Sequence, residues 1–135
     1  MEQAKRVGLY TATATVGGLG YVGIEMLWRG RSHWSMFLVG GVCFVLMGGI
    51  HTALSHRPLL LRCGVCAAAV TAVELASGCI LNRWLGLGVW DYSGAWGNIL
   101  GQVCLGYSLL WLLLSVAACP LYKGVQRLLQ PLFRL

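Results

Sequence analysis

Four apolar stretches, each close to the length of a membrane span, are separated by short segments that hold most of the charge. The first runs from Val7 to Trp28 and closes on Arg29-Gly30-Arg31; the second runs from Trp34 to Leu54 and closes on Ser55-His56-Arg57-Pro58. The third opens on Leu59-Leu60-Leu61, runs to Leu81 and closes on Asn82-Arg83. After a segment rich in glycine and tryptophan, the fourth is predicted over 99–118, with Pro120 expected to stop it. The runs are continuous, without the alternation of a barrel strand. A lone lipid-facing strand leaves backbone groups without partners, so each run predicts a helix.

Beyond Pro120, Val125, Leu128, Leu129 and Leu132 recur at helical spacing against Lys123, Arg127 and Arg134. That pattern predicts a short amphipathic helix lying on the inner membrane surface over 121–135. Composition agrees with a lipid solvent: 58% of residues are hydrophobic and only 10% charged, against about a quarter charged in soluble domains. In 135 residues, four spans leave no room for a separate soluble catalytic domain. The expected fold class is all-α: one transmembrane domain, a four-helix transmembrane bundle of a multi-pass protein of the cell membrane.

Basic residues set the expected orientation. Seven lie in the two tails and the second loop (Lys5, Arg6, Arg57, Arg62, Lys123, Arg127, Arg134), and three in the first and third loops (Arg29, Arg31, Arg83). Both termini are therefore expected to be cytoplasmic. The net charge of +6 then reflects topology and contact with anionic membrane lipids; no basic stripe with stacking aromatics suggests nucleic acid. Lys5-Arg6 ahead of Ala12-Thr13-Ala14 resembles a signal peptide, but cleavage there would cut a span that runs on to Trp28, so an uncleaved span is expected.

Small residues predict close helix packing: Gly17, Gly20 and Gly23 in the first span, Gly41 and Gly48 in the second, Ala67 and Gly78 in the third. Gly97 and Gly101, four apart, suggest a packing or dimerisation pair in the fourth. The halves are also loosely alike, each with a glutamate (Glu25, Glu74) followed by a tryptophan-serine element, which suggests a parallel duplication.

Glu74 is the main chemical lead. It lies twelve residues after Arg62 and nine before Arg83, so at about 1.5 Å per residue it sits somewhat outside the bilayer midplane. An acidic side chain at a span centre costs roughly 2.5–3.5 kcal/mol and normally faces a partner, a cavity or a pathway. Thr71 and Gly78 share its helical face and give a small polar notch. The plain alternative is a structural hydrogen bond from a tryptophan indole or a backbone amide.

Glu25 precedes Arg29 by one turn, which suggests an i,i+4 pair. Asp91 can cap a helix or tie down the loop, with Tyr92 and Trp90 as interface anchors. Alternatively Asp91, Glu74, Glu25 and Arg83 line an outer vestibule that collects cations, with Asn98 and Gln102 just below and Ser93 beside them. Cys43, Cys79, Cys104 and Cys119 are scattered within spans as small apolar residues. Cys63-Gly64-Val65-Cys66 has redox spacing, and His51 and His56 fall at a similar depth, so a metal or redox site is an open alternative; no cofactor is expected.

Arg57-Pro58-Leu59-Leu60-Leu61-Arg62-Cys63, then Glu74, Gly78, Ile80-Leu81 and Trp90-Asp91-Tyr92-Ser93, resemble in order and spacing the CmpB-like family of small integral membrane proteins catalogued as ABC-transporter type IV. Small vertebrate transmembrane proteins of unassigned role are similar to it too. The resemblance also takes in Gly20 to Trp28 with Glu25, and Ser32 to Gly41, where the family pattern is close to Ser-x-Trp-x-Met/Ala-Phe. It implies a compact helical membrane protein of about four spans. Family members commonly carry Cys-Pro before the tryptophan, where this chain has Gly88-Val89, so a role needing that cysteine does not carry over.

No Gly-x-x-x-x-Gly-Lys-Ser/Thr loop is present, so no nucleotide is expected as a partner. No nucleophile and base stand at a recognisable spacing, which argues against an enzyme. Two classes remain. One is an ion or small-solute channel or transporter, its thin wall completed by homo-oligomerisation, with the route passing Glu74. The other is a binding or assembly protein that holds a lipid headgroup or a partner's spanning helix.

Overall fold

The computed structural model describes residues 1–135, and the fold is all-α. Helix α1 spans Glu2–Arg29, α2 Trp34–Ala53, α3 Leu59–Gly78 and α4 Leu105–Leu129. A π-helical turn, Cys79–Trp84, continues α3, and a 3-10 turn, Gln130–Phe133, follows α4. Apart from one isolated bridge between Ile99 and Val103 there is no β-structure. Four helices are long and apolar enough to cross a membrane, which makes the chain a multi-pass membrane protein.

Two boundaries differ from the sequence expectation. The fourth helix starts at Leu105, not at Ile99. Gly97, Leu100 and Gly101 all take left-handed backbone conformations, at φ of 71°, 55° and 70°, which no helix accommodates. Gly97 and Gly101 therefore sit in a loop and form no helix-packing pair. Pro120 lies inside α4, which continues to Leu129. The proline withdraws one N–H from the ladder, a loss that spanning helices tolerate when neighbouring groups satisfy the freed carbonyl. The amphipathic stretch over 121–135 is thus the end of α4 plus the 3-10 turn, rather than a separate helix.

The chain forms two compact units, Met1–Gly49 with Ala117–Leu135, and Ile50–Val116. In the first, α1 and α2 meet through Gly17, Gly18, Gly40 and Gly41: a Cβ at Gly18 would strike the Phe37 carbonyl, and one at Gly41 would lie 2.5 Å from the Ala14 carbonyl oxygen. Gly20 and Gly23 have nothing within 4 Å and play no part in this contact. Gly41→Val is expected to lower stability by about 1–3 kcal/mol through overpacking, read as a lower melting temperature in detergent, whereas Gly23→Ala, in open space within α1, is expected to leave melting level or raise it slightly.

The same unit holds a buried polar tie. The Thr13 hydroxyl, fully buried, donates to the Leu9 carbonyl at 2.8 Å and accepts from the Gln126 amide at 2.7 Å. Both ends of the hydroxyl are satisfied, so the group is held without an orphaned donor.

The second unit contains the end of α2, all of α3 and its π turn, the 85–104 segment and the first turns of α4. His51, at the end of α2, donates from Nε2 to the Ser115 carbonyl at 2.9 Å. Its remaining polar contacts are concentrated between α3, the 85–104 segment and α4.

Candidate functional site

Thr71, Glu74 and Gly78 recur every three or four residues and so fall on one side of α3. That side meets Ser108 and Trp111, three apart on α4. The Thr71 and Ser108 hydroxyls are 2.9 Å apart. One turn further on, the Trp111 indole N–H donates to Glu74 Oε1 at 3.0 Å. Both partners of the second bond are buried, Glu74 at 5% exposed and Trp111 at 7%. The carboxylate therefore points between helices, held by a directional donor, and not at acyl chains. A hydrogen bond in such low-dielectric surroundings is stronger than the same bond in water.

Gly78 closes the next level. A Cβ there would lie 2.6 Å from Gln102 Oε1 and 3.0 Å from Trp90 Cζ2, so the missing side chain is what admits both groups. Beyond it the helix widens into the π turn, with the Leu85 N–H reaching the Ile80 carbonyl five residues back at 2.9 Å. Asn82, within that turn, donates to Gln102 Oε1 at 2.8 Å and accepts from the backbone N–H groups of Val89 at 2.6 Å and Trp90 at 3.4 Å. The Trp90 indole in turn donates to the Gln102 carbonyl at 2.8 Å. The result is a polar track along α3 from Thr71 to Asn82, roofed by the 85–104 segment.

The rest of Trp90-Asp91-Tyr92-Ser93 shapes that roof. Asp91 is exposed and accepts from the Ser93 backbone N–H at 2.9 Å. The Tyr92 N–H binds the Gly101 carbonyl at 2.8 Å, and its ring stacks on Tyr107 with centroids 4.8 Å apart. Asn98 ties the turn from inside: its amide donates to the Ala95 carbonyl at 2.8 Å and the Ser93 carbonyl at 3.2 Å, and its oxygen accepts from the Gly101 N–H at 3.1 Å. Arg83 is exposed, 3.5 Å from the Leu100 carbonyl. Glu25 belongs to the first unit, where it binds Arg29 at 3.0 Å.

Of the residues singled out from the sequence, Thr71 and Glu74 lie in the track, and Tyr92, Ser93, Asn98 and Asp91 fold the roof. Sequence reasoning foresaw a tryptophan indole on Glu74 as the plain structural alternative, which Trp111 supplies, but it singled out neither Trp111 itself nor Ser108 and Asn82. A signal for the first two existed: Ser108 and Trp111 repeat the three-residue spacing of Thr71 and Glu74, so two polar pairs can form at successive levels of facing helices. All six cysteines are free, five of them buried. No three His, Cys, Asp or Glu side chains gather as a metal site, and His51 is engaged by Ser115.

The Ser93 amide, then its hydroxyl, holds the Asp91 carboxyl below its ordinary value of 3.8. The folded group thus binds its proton less readily than the unfolded one. The loop tie is complete at neutral pH and is lost only as pH falls through that depressed value. In an NMR titration the Ser93 amide is expected to shift below pH 4, not between 5 and 7.

Fold and site together define a small multi-pass helical membrane protein with a buried carboxylate clamped between two of its spans. The chain belongs to the family described as "Putative ABC-transporter type IV", whose profile matches residues 13–133. No curated protein matches the chain, and no solved structure does.

Proposed function

We propose that this is a transport-type protein of the cell membrane, in which a small cation or other small solute moves along the α3–α4 face past Glu74. The observation that carries the reading is the burial of Glu74 between spans, beside the Thr71–Ser108 hydroxyl pair; its bond from the Trp111 indole is by itself the plain structural tie. An acid kept in that setting against its desolvation cost is the usual mark of an ion or proton pathway. The family description points the same way. With no phosphate-cradling loop in the chain, the driving force comes from an ion gradient or from a separate ATPase subunit. A homo-oligomer supplies the wall that four spans lack, and both termini face the cytoplasm. No catalytic role is assigned to the chain.

The test is flux through liposomes holding the purified, folded protein, across a panel of monovalent and divalent cations and small neutral solutes. Flux above protein-free vesicles for at least one species is expected. Silence across the panel, with the fold intact, would move the assignment to binding or assembly. That second reading draws on Trp84 and Trp96, 79% and 81% exposed, two uncovered apolar rings, one on the π turn and one on the roof. Its mark would be a stoichiometric partner lost on Trp96→Ala; Trp90, only 5% exposed, is too buried to serve as the contact.

A further inference from the structure

The first unit contains a cleft of about 640 Å³ between the opening turns of α1 and the end of α4, lined by Lys5, Arg6, Tyr10, Gln126 and Arg134 among others. Its size lies within the range of small-molecule sites. Three of those groups are cationic; Glu2 also lines the cleft and spends its charge on Arg6 at 3.7 Å. Lys5 and Arg134 form no ion pair. Two cations without an ion pair thus line one concave space together with the chain-terminal residues Met1 and Leu135 and with Gln126, whose amide is fixed by Thr13.

We propose that this cleft binds the phosphodiester headgroup of an anionic phospholipid. The shared chemistry is a phosphate ester, which Arg134 can bind through two N–H groups and Lys5 as a point charge. A lipid is favoured over a soluble phosphate by the surroundings. The cleft opens at the ends of two membrane-length helices, and its wall includes Leu9 and the half-exposed ring of Tyr10, a residue type that settles at headgroup level. The distribution of basic residues puts this end at the cytoplasmic leaflet, where anionic lipids concentrate and basic pockets between spans hold their headgroups. This inference stands independently of whether solute passes Glu74.

The experiment is native mass spectrometry and equilibrium binding of the full chain in phosphatidylcholine nanodiscs with and without phosphatidylserine. Selective retention of phosphatidylserine is expected. Lys5→Gln/Arg134→Gln should lower its affinity about fivefold per charge removed, so about twenty-five-fold. Arg57→Gln/Arg127→Gln, which removes the same charge outside the cleft lining, should leave affinity unchanged, and the charge-keeping Lys5→Arg/Arg134→Lys should retain most of the binding. Equal losses in both neutralised variants would overturn the site in favour of a diffuse surface potential. Equal retention of phosphatidylcholine would overturn it as well. Competition by soluble glycerophosphoserine as strong as by intact lipid would reassign the cleft to a free phosphate ester.

Discussion

Glu74→Gln is expected to cut flux through reconstituted vesicles by about tenfold or more, equivalent to roughly 1.4 kcal/mol, while the protein still folds. The substitution separates charge from shape. Glutamine keeps an oxygen where Oε1 accepts the Trp111 indole N–H, so the interhelical bond can survive. Against this, the bond exchanges a carboxyl oxygen for an amide oxygen, a change of up to about 1 kcal/mol. Removing the charge also relieves part of the roughly 2.5–3.5 kcal/mol that an acid costs within a span. These effects oppose each other, so melting temperature should stay level or rise slightly. A variant that melts like the wild type and transports like it would remove Glu74 from the route. Glu74→Leu is a poor substitute for this comparison, because it leaves the Trp111 indole without an acceptor and confuses folding with function.

Asn82→Ala is expected to be the most damaging of the conservative-sized changes, at about 2–4 kcal/mol. One side chain satisfies three groups at once: Gln102 Oε1 and the backbone N–H groups of Val89 and Trp90. Val89, Trp90 and Gln102 are all buried, so none is readily rescued by water. The roof should loosen from the π turn, opening the Gly86–Gly88 backbone to protease and lowering melting in detergent. Asn82→Asp keeps an acceptor for the two N–H groups but loses the donor to Gln102, and should fall between. A protease-resistant alanine variant with wild-type melting would show that Gln102 and Trp90 hold the roof without Asn82.

The helices were legible because lipid imposes one rule: an apolar run of sufficient length must satisfy its own backbone. The same rule misled at the fourth span. Ile99, Leu100, Val103 and Cys104 read as its beginning, yet Val103 and Cys104 are buried in the roof at 2% and 4% exposed, and apolar content alone does not separate a packed loop from a helix. Gly97 and Gly101, read as packing residues, were the clue to left-handed turns. Pro120 was read as a stop by the rule for water-soluble helices, whereas α4 runs through it. At the site, the face of α3 followed from spacing alone. The partners did not, because Trp111 and Ser108 lie thirty-seven residues from Glu74 and Thr71, and only the fold decides which turns of α4 come level with them.

The π turn at Cys79–Trp84 fits one more residue into the helix than an α-helical turn would hold. Its presence phases the chain: Glu74 is aimed by the ordinary winding before it, Asn82 by the expanded winding after. Excising a single residue there would turn the Leu85-to-Ile80 bond into an ordinary α-helical one, so Asn82 would lose the angle about the axis at which it reaches Gln102 and the Val89 and Trp90 N–H groups. The polar notch and its cover would then lose the tie that Asn82 makes between them, so the bulge is the joint between the carboxylate's face and the tryptophan-bearing cap.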